Sequence, residues 1–173
     1  MSDRFPRSAL PWIGMGRSYV AWKTWDQAEK AVAAALAREP DNWLALRLRA
    51  QLAEARGQLD PATTDYRTVL ARDPPNPEAH LGLARIARAR GDLDAAHTEA
   101  AAALDAAREL PGAWALLADL SLQVGEPAMA IDFWKGAVAA APNDRDARLA
   151  LARLLRQNGD ASGAAGEYAA AAA

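Results

Sequence analysis

Residues able to do covalent or metal chemistry are scarce in this chain. Its 173 residues include two histidines, His80 and His97, and no cysteine. Thiolate nucleophiles, disulfides and cysteine metal sites are therefore excluded. A bound zinc ion needs further donors at ligand spacing beside the histidines. No carboxylate stands at such a spacing, so both histidines are expected to be packing residues. The serines fall in turn and helix positions and make no nucleophile–base pair of recognisable spacing. Gly14 and Gly16 form a Gly-x-Gly, yet no strand precedes them as a phosphate loop would require. Asp92 and Asp94 suit turns and helix caps. These residues predict a chain that is not an enzyme and takes no cofactor and no metal.

The remaining chemistry is recognition through charge. Net charge is −2, which argues against sequence-independent binding to nucleic acid, since that needs a basic footprint. Hydrophobic residues make up 51% and aromatics 6%. Much of the apolar fraction is alanine, so many small contacts are expected rather than one large nucleus. No stretch approaches the ~18 apolar residues of a membrane span. Arg4 and Arg7 precede a short apolar run that superficially suggests a leader. Pro11, Gly14 and Gly16 interrupt it, and it is read as mature structure in a cytoplasmic protein.

The elements that must position any recognition surface come from a repeat of 34 residues. Counting Pro111 as position 1, the frame also starts at Ala9, Trp43, Pro77 and Arg145. The repeats are 9–42, 43–76, 77–110, 111–144 and 145–173, with residues 1–8 as a lead-in whose Phe5 is expected to lie over the first helix pair. Position 20 holds Ala28, Ala62, Ala96, Ala130 and Ala164. Position 8 holds Gly16, Ala50, Ala84, Ala118 and Ala152, and position 27 holds Ala35, Val69, Ala103, Ala137 and Ala171. Small residues there let helices approach closely, and larger ones would overpack at roughly 1–3 kcal/mol. Bulky residues fill the spaces between: Trp12, Leu46 and Trp114 at position 4; Met15, Leu83, Leu117 and Leu151 at position 7; Tyr66, Trp134 and Tyr168 at position 24.

Position 15 carries Gly57, Gly91, Gly125 and Gly159, with Lys23 as the exception. A residue there ends the first helix in the φ > 0 region. Asp26, Asp60, Asp94 and Ser162 at position 18 suit the N-cap of the second helix, with Pro61 at its first residue. Pro40, Pro74 and Pro142 close the unit at position 32, where the third frame has Arg108. Without that proline, the second helix of the third unit is expected to run about a turn longer. Arg49 occupies position 7, which is apolar elsewhere; either its stem packs and its head reaches water, or that unit is rotated. Trp22 is expected either to cover the outer flank of the first unit or to be an exposed anchor.

This pattern resembles the tetratricopeptide repeat (TPR), with Trp, Leu, Gly and Tyr in the first helix, Ala and an aromatic in the second, and a closing Pro. The first frame carries Trp12, Met15, Gly16, Tyr19, Ala28, Ala35, Leu36 and Pro40. The resemblance implies an all-α, right-handed superhelical α-solenoid of five helix–turn–helix units, serving as a protein–protein interaction scaffold.

It also implies a concave groove lined by the first helices at positions 2, 5, 6, 9, 12 and 13. Position 5 then contributes Arg47, Leu81 and Leu149, and position 6 contributes Leu48 and Leu116. Position 9 contributes Arg17, Gln51, Arg85, Asp119 and Arg153, and position 12 contributes Arg88 and Arg156. An arginine–leucine trough suits a peptide or partner segment with acidic and apolar residues. Reversing the charge of Arg85 and Arg88 together is expected to abolish binding without unfolding the array. The alternative is a solvated face whose arginines pair with neighbouring acids.

The carboxylate clamp for chaperone tails needs Lys and Asn in that trough. Its two registers here read Ile13, Arg17, Leu48, Glu78, Gly82 and Leu81, Arg85, Leu116, Asp146, Ala150. Neither makes the clamp. Two other readings stay open. One is the TPR portion of a larger bacterial enzyme, or of an envelope, secretion or cytochrome c maturation assembly protein; Trp12 and Gly16–Tyr19 resemble the opening repeat of some maturation factors. The other is a self-assembling module, a homo-oligomer joined through its terminal repeats, the last of which stops in a run of alanines.

Overall fold

The computed structural model describes residues 8–173, and Arg4, Phe5 and Arg7 lie outside them. Ten helices and no strand are present among the described residues. They divide into two compact units, Met1–Ile86 and Ala87–Ala173. The first unit contains α1 (Leu10–Ala21), α2 (Trp25–Arg38), α3 (Trp43–Ala55), α4 (Leu59–Arg72) and most of α5 (Pro77–Ala89). The second contains the end of α5, then α6 (Leu93–Ala106), α7 (Pro111–Gln123), α8 (Pro127–Ala140), α9 (Arg145–Gln157) and α10 (Ala161–Ala172). None of these helices is long and apolar enough to cross a membrane.

The alanine columns explain the hairpins. Ala28, Ala62, Ala96 and Ala130 have no exposed surface, nor do Ala50, Ala84, Ala118 and Ala152. Larger side chains lock over them. In the first unit Tyr66 is fully buried among Leu46, Ala50, Ala62, Val69 and Leu83. In the second, Leu151, Leu154 and Leu155 pack with Ala118, Ala130 and Ile131. Burying each such side chain stabilises by about 1.5–3 kcal/mol.

Each first helix ends in the same backbone motif. Gly57 N–H donates to the Glu54 carbonyl at 2.9 Å, and Gln58 N–H to Ala53 at 2.8 Å, which satisfies carbonyls the helix leaves open. Gly57, Gly91, Gly125 and Gly159 take φ of 72, 80, 83 and 87°, and Lys23 is held in the same region at 56°. The second helices start earlier than expected. Their caps are at position 16, where the Asp92 and Asp160 side chains accept from Ala95 and Gly163. Asp26, Asp60 and Asp94 instead sit inside the first turn, where they complement the helix dipole. Pro61 is the third residue of α4 rather than the first, still within the stretch whose N–H groups lack helical partners.

The third second-helix is no longer than the others. α2, α4, α6 and α8 each have 14 residues and end one residue before a non-helical backbone, at Glu39, Asp73, Ala107 and Ala141. α6 therefore ends at the same repeat position although no proline stands there. The side chain at position 4 of the following first helix holds that corner. Trp114 Nε1 donates to the Arg108 carbonyl at 2.8 Å, and Arg148 Nε donates to the Pro142 carbonyl at 2.8 Å. His80 Nε2 lies 3.0 Å from the Pro74 carbonyl, so this histidine occupies a structural position.

Arg49 is exposed as the first expectation has it, but its head is also paired. Its Nε and Nη2 donate to the two carboxylate oxygens of Asp65, each at 2.7 Å. Those bonds keep its guanidinium above the ordinary range against the opposing effect of burial.

Candidate interaction surface on the first helices

Three cross-links between successive first helices share one spacing. In the first unit, Arg47 of α3 reaches Glu78 of α5 at 2.9 Å. Arg85 of α5 donates from Nε to Glu54 Oε1 at 2.5 Å and from Nη2 to Oε2 at 2.8 Å. In the second unit, Arg88 donates to Asp119 of α7 at 3.0 Å. Each pair is 31 residues apart, one repeat less nearly one helical turn. Side chains lean toward the N-terminus of their own helix, so position 12 of one first helix faces position 9 of the next, and position 5 faces position 2.

The Glu54–Arg85 pair is built into the core. The fully buried Tyr66 donates its hydroxyl to Glu54 Oε2 at 2.9 Å. Burial, then the Glu54 charge, pushes that phenol far above its ordinary range, with Arg85 pulling the other way. Burial also works against the Arg85 charge, but the hydrogen bonds and charge of Glu54 outweigh it and raise its pKa. A bidentate pair in this setting is stronger than an exposed one. Arg47 is only 12% exposed, lies over the Trp43 ring at 5.8 Å, and has a buried Nε with no hydrogen-bond partner.

Two sequence expectations change as a result. Leu48, Leu81 and Leu116 are buried core residues, because position 6 and the third unit's position 5 turn toward neighbouring helices; they are not available to line a trough. Reversing Arg85 would set two carboxylates against each other beside Tyr66. The combined Arg85 and Arg88 reversal therefore perturbs the fold before it reports on binding.

The other expected contact residues divide sharply. Gln51 and Leu149 are half-buried, while Arg17, Arg153 and Arg156 are exposed. Among the described residues, the side chains of these last three have no hydrogen-bond or ion-pair partner. The alternation of charge breaks at Leu122, which takes position 12 where Glu54 and Arg88 stand in earlier units and is 42% exposed. By the spacing of the bonded pairs, Leu122 is opposite Arg153.

Family comparison follows this geometry. Three family profiles, each described as tetratricopeptide repeat, match residues 13–77, 53–120 and 111–154. The chain belongs to the tetratricopeptide repeat family. No curated protein matches it. Among solved structures, Pseudomonas aeruginosa PilF is similar at TM-score 0.83 and 21% identity, covering 95% of this chain and 75% of that one. A thermophilic TPR protein of Thermus thermophilus, TTC0263, is similar at TM-score 0.74 and 24% identity, covering 95% and 90%. Yeast Tom70 gives TM-score 0.76 at 20% identity, over 96% of this chain and 36% of that chain. At these identities the likeness is one of fold.

The TPR fold is an interaction scaffold, and its repeat numbering accounts for what the sequence reading missed. The 31-residue links were present as opposite charges at positions 12 and 9, or 5 and 2, of successive units, readable once those columns are offset by one repeat. Trp22 is 70% exposed and meets Tyr19 edge-on with centroids 6.3 Å apart. Trp12 lies beneath the Arg38 guanidinium at 4.8 Å. Among the described residues, no group of three or more His, Cys, Asp or Glu could hold a metal ion.

Proposed function

We propose that this TPR chain binds a partner protein through a segment bearing acidic and apolar residues, received on the first-helix face around α7 and α9. Arg153 and Arg156 supply the charge, and Leu122 and Leu149 the apolar contact. The observation that carries this reading is the broken charge ladder: Arg85 and Arg88 have their acids, whereas the position that the same spacing sets opposite Arg153 holds the exposed Leu122. An arginine whose donors are unspent suits an incoming carboxylate, and the neighbouring leucine adds area that water leaves on binding. Arg88, held by Asp119 of α7, borders this surface as a secondary contact. In the first unit, Arg17, Arg47 and Arg85 are candidate contacts of that unit's own first helices. The chain acts as a binding scaffold rather than as an enzyme.

The test is a fluorescence-anisotropy titration of the full chain with a labelled extended peptide of alternating aspartate and leucine. Arg153→Glu with Arg156→Glu should weaken binding by at least about tenfold, as expected for charged contacts across an interface. Because both side chains are exposed, thermal unfolding should stay near wild type. Equal affinity in the two proteins would overturn the reading.

A further inference from the structure

The offset that pairs Arg47 with Glu78 sets Ala115 of α7 opposite Asp146 of α9, again 31 residues on. In the first unit the arginine at position 5 reaches from one first helix to the next and meets its acid. In the second unit that position holds alanine, and a pocket of about 260 Å³ opens beside it. Pro111, Gly112 and Ala115 line the pocket from α7, Asp144 and Asp146 from the start of α9, and Trp134 from α8. Its volume is below the roughly 300–1,000 Å³ of ordinary ligand pockets and suits a single side chain.

The lining is acidic and includes no lysine or arginine. Asp144 caps α9, its carboxylate accepting from the Asp146 and Ala147 N–H groups at 3.0 and 3.1 Å. The Asp146 side chain is exposed and has no hydrogen-bond or ion-pair partner among the described residues. Of the basic residues nearby on α9, Arg148 is held by the Pro142 carbonyl and Glu167, and Arg145 lies outside the lining. An indole beside two carboxylates favours a guanidinium, whose planar fork pairs with carboxylate and whose charge is attracted to aromatic rings. The chain's own Arg47 has the same two partners, bonding Glu78 and lying over the Trp43 ring at 5.8 Å.

We propose that this pocket receives an arginine side chain of the partner protein, which takes in the second unit the place that Arg47 takes in the first. It rests on the α7 and α9 face being the partner surface, and it gives the partner segment a pattern of charge. Arg153 and Arg156 stand seven and ten residues beyond Asp146 on α9, roughly 10 and 15 Å along the axis. The face therefore runs from acidic to basic along α9. At about 3.3 Å per residue, an extended segment that fits it carries acids about three and five residues from its arginine.

The experiment titrates the full chain with a labelled extended peptide whose central arginine has aspartates three and five residues to either side and leucines between. A second peptide has glutamine in place of the arginine. The arginine peptide should bind at least about fivefold tighter, as expected for complementary charge. Asp146→Asn, at an exposed position, should bring the two affinities to within about twofold of each other. Ala115→Arg, which gives the pocket a guanidinium of its own, should remove the preference as well. Arg153→Glu with Arg156→Glu should weaken both peptides alike and keep their ratio, since those sites lie well apart from the pocket. Absence of that weakening counts against the acidic-segment reading, whereas absence of the ratio counts against the pocket. Equal affinity of the wild-type chain for the two peptides, no binding of either, or a preference that survives Asp146→Asn would overturn the proposal.

Discussion

Gly82→Ala and Gly14→Ala are the same chemical change in two first helices, and they should move stability in opposite directions. Alanine is favoured over glycine inside a helix by about 0.8–1.0 kcal/mol. At Gly14 an added methyl group meets nothing within 4 Å among the described residues, so this gain should appear nearly whole. At Gly82 the methyl would overlap the ring of Tyr66. That ring has no exposed surface, and its hydroxyl is held by Glu54, which Arg85 holds in turn. It cannot swing aside without breaking the network, so an overpacking penalty of about 1–3 kcal/mol applies. The helix contribution is common to both variants and cancels in the comparison. Gly14→Ala should therefore exceed Gly82→Ala in stability by about 1–3 kcal/mol. Urea unfolding followed by far-UV circular dichroism reads the difference as a shift in midpoint. Amide hydrogen exchange in α4 and α5 localises it, since loosening should be concentrated around Tyr66. A Gly82→Ala protein as stable as Gly14→Ala, with unchanged protection around Tyr66, would refute the packing argument.

Two further outcomes follow from the backbone and the caps. Lys23→Gly should stabilise the first unit by up to about 1 kcal/mol: a non-glycine residue at φ 56° carries roughly 1–2 kcal/mol of strain, offset in part by the greater freedom of glycine in the unfolded chain. A lower urea midpoint for this variant would contradict that sign. Glu39 accepts from the Ala9 N–H at 2.8 Å and from Asn42 Nδ2 at 2.6 Å, and these bonds, Ala9 first, hold its carboxyl below its ordinary value of 4.5. A folded pKa below the unfolded one stabilises above the unfolded value and ceases to do so as pH falls through the folded value. The stability advantage of wild type over Glu39→Gln should thus be largest near neutrality and shrink below pH 4.5. An advantage that stays constant down to acid pH would remove Glu39 from the acid response.

Much of the architecture was legible before any coordinates, and the candidate surface was legible only in part. The alanine columns, the left-handed turn at position 15 and the closing prolines are constraints within one helix or one turn, and they recur at a fixed period. Such signals survive in a one-dimensional reading because each depends on the residue's own size or backbone preference. Even the exception was visible: Lys23 stands in the glycine column and takes the glycine conformation. The expected extension of α6 did not occur: α6 ends at Ala106 without a proline, and Trp114 bonds to the Arg108 carbonyl just beyond it.

Composition and period by themselves determined the all-helical repeat, the near-absence of catalytic candidates and an arginine-rich set of first-helix positions. Tertiary structure decided which arginines have acids already. Arg47, Arg85 and Arg88 are paired across helices, Arg49 is paired across its own hairpin, and Arg153 and Arg156 have no partner among the described residues. The physical reason is range. A turn or a close helix contact is settled by a residue and its immediate neighbours, but a guanidinium commits to a carboxylate only when packing brings two distant helices into register and removes the water between them.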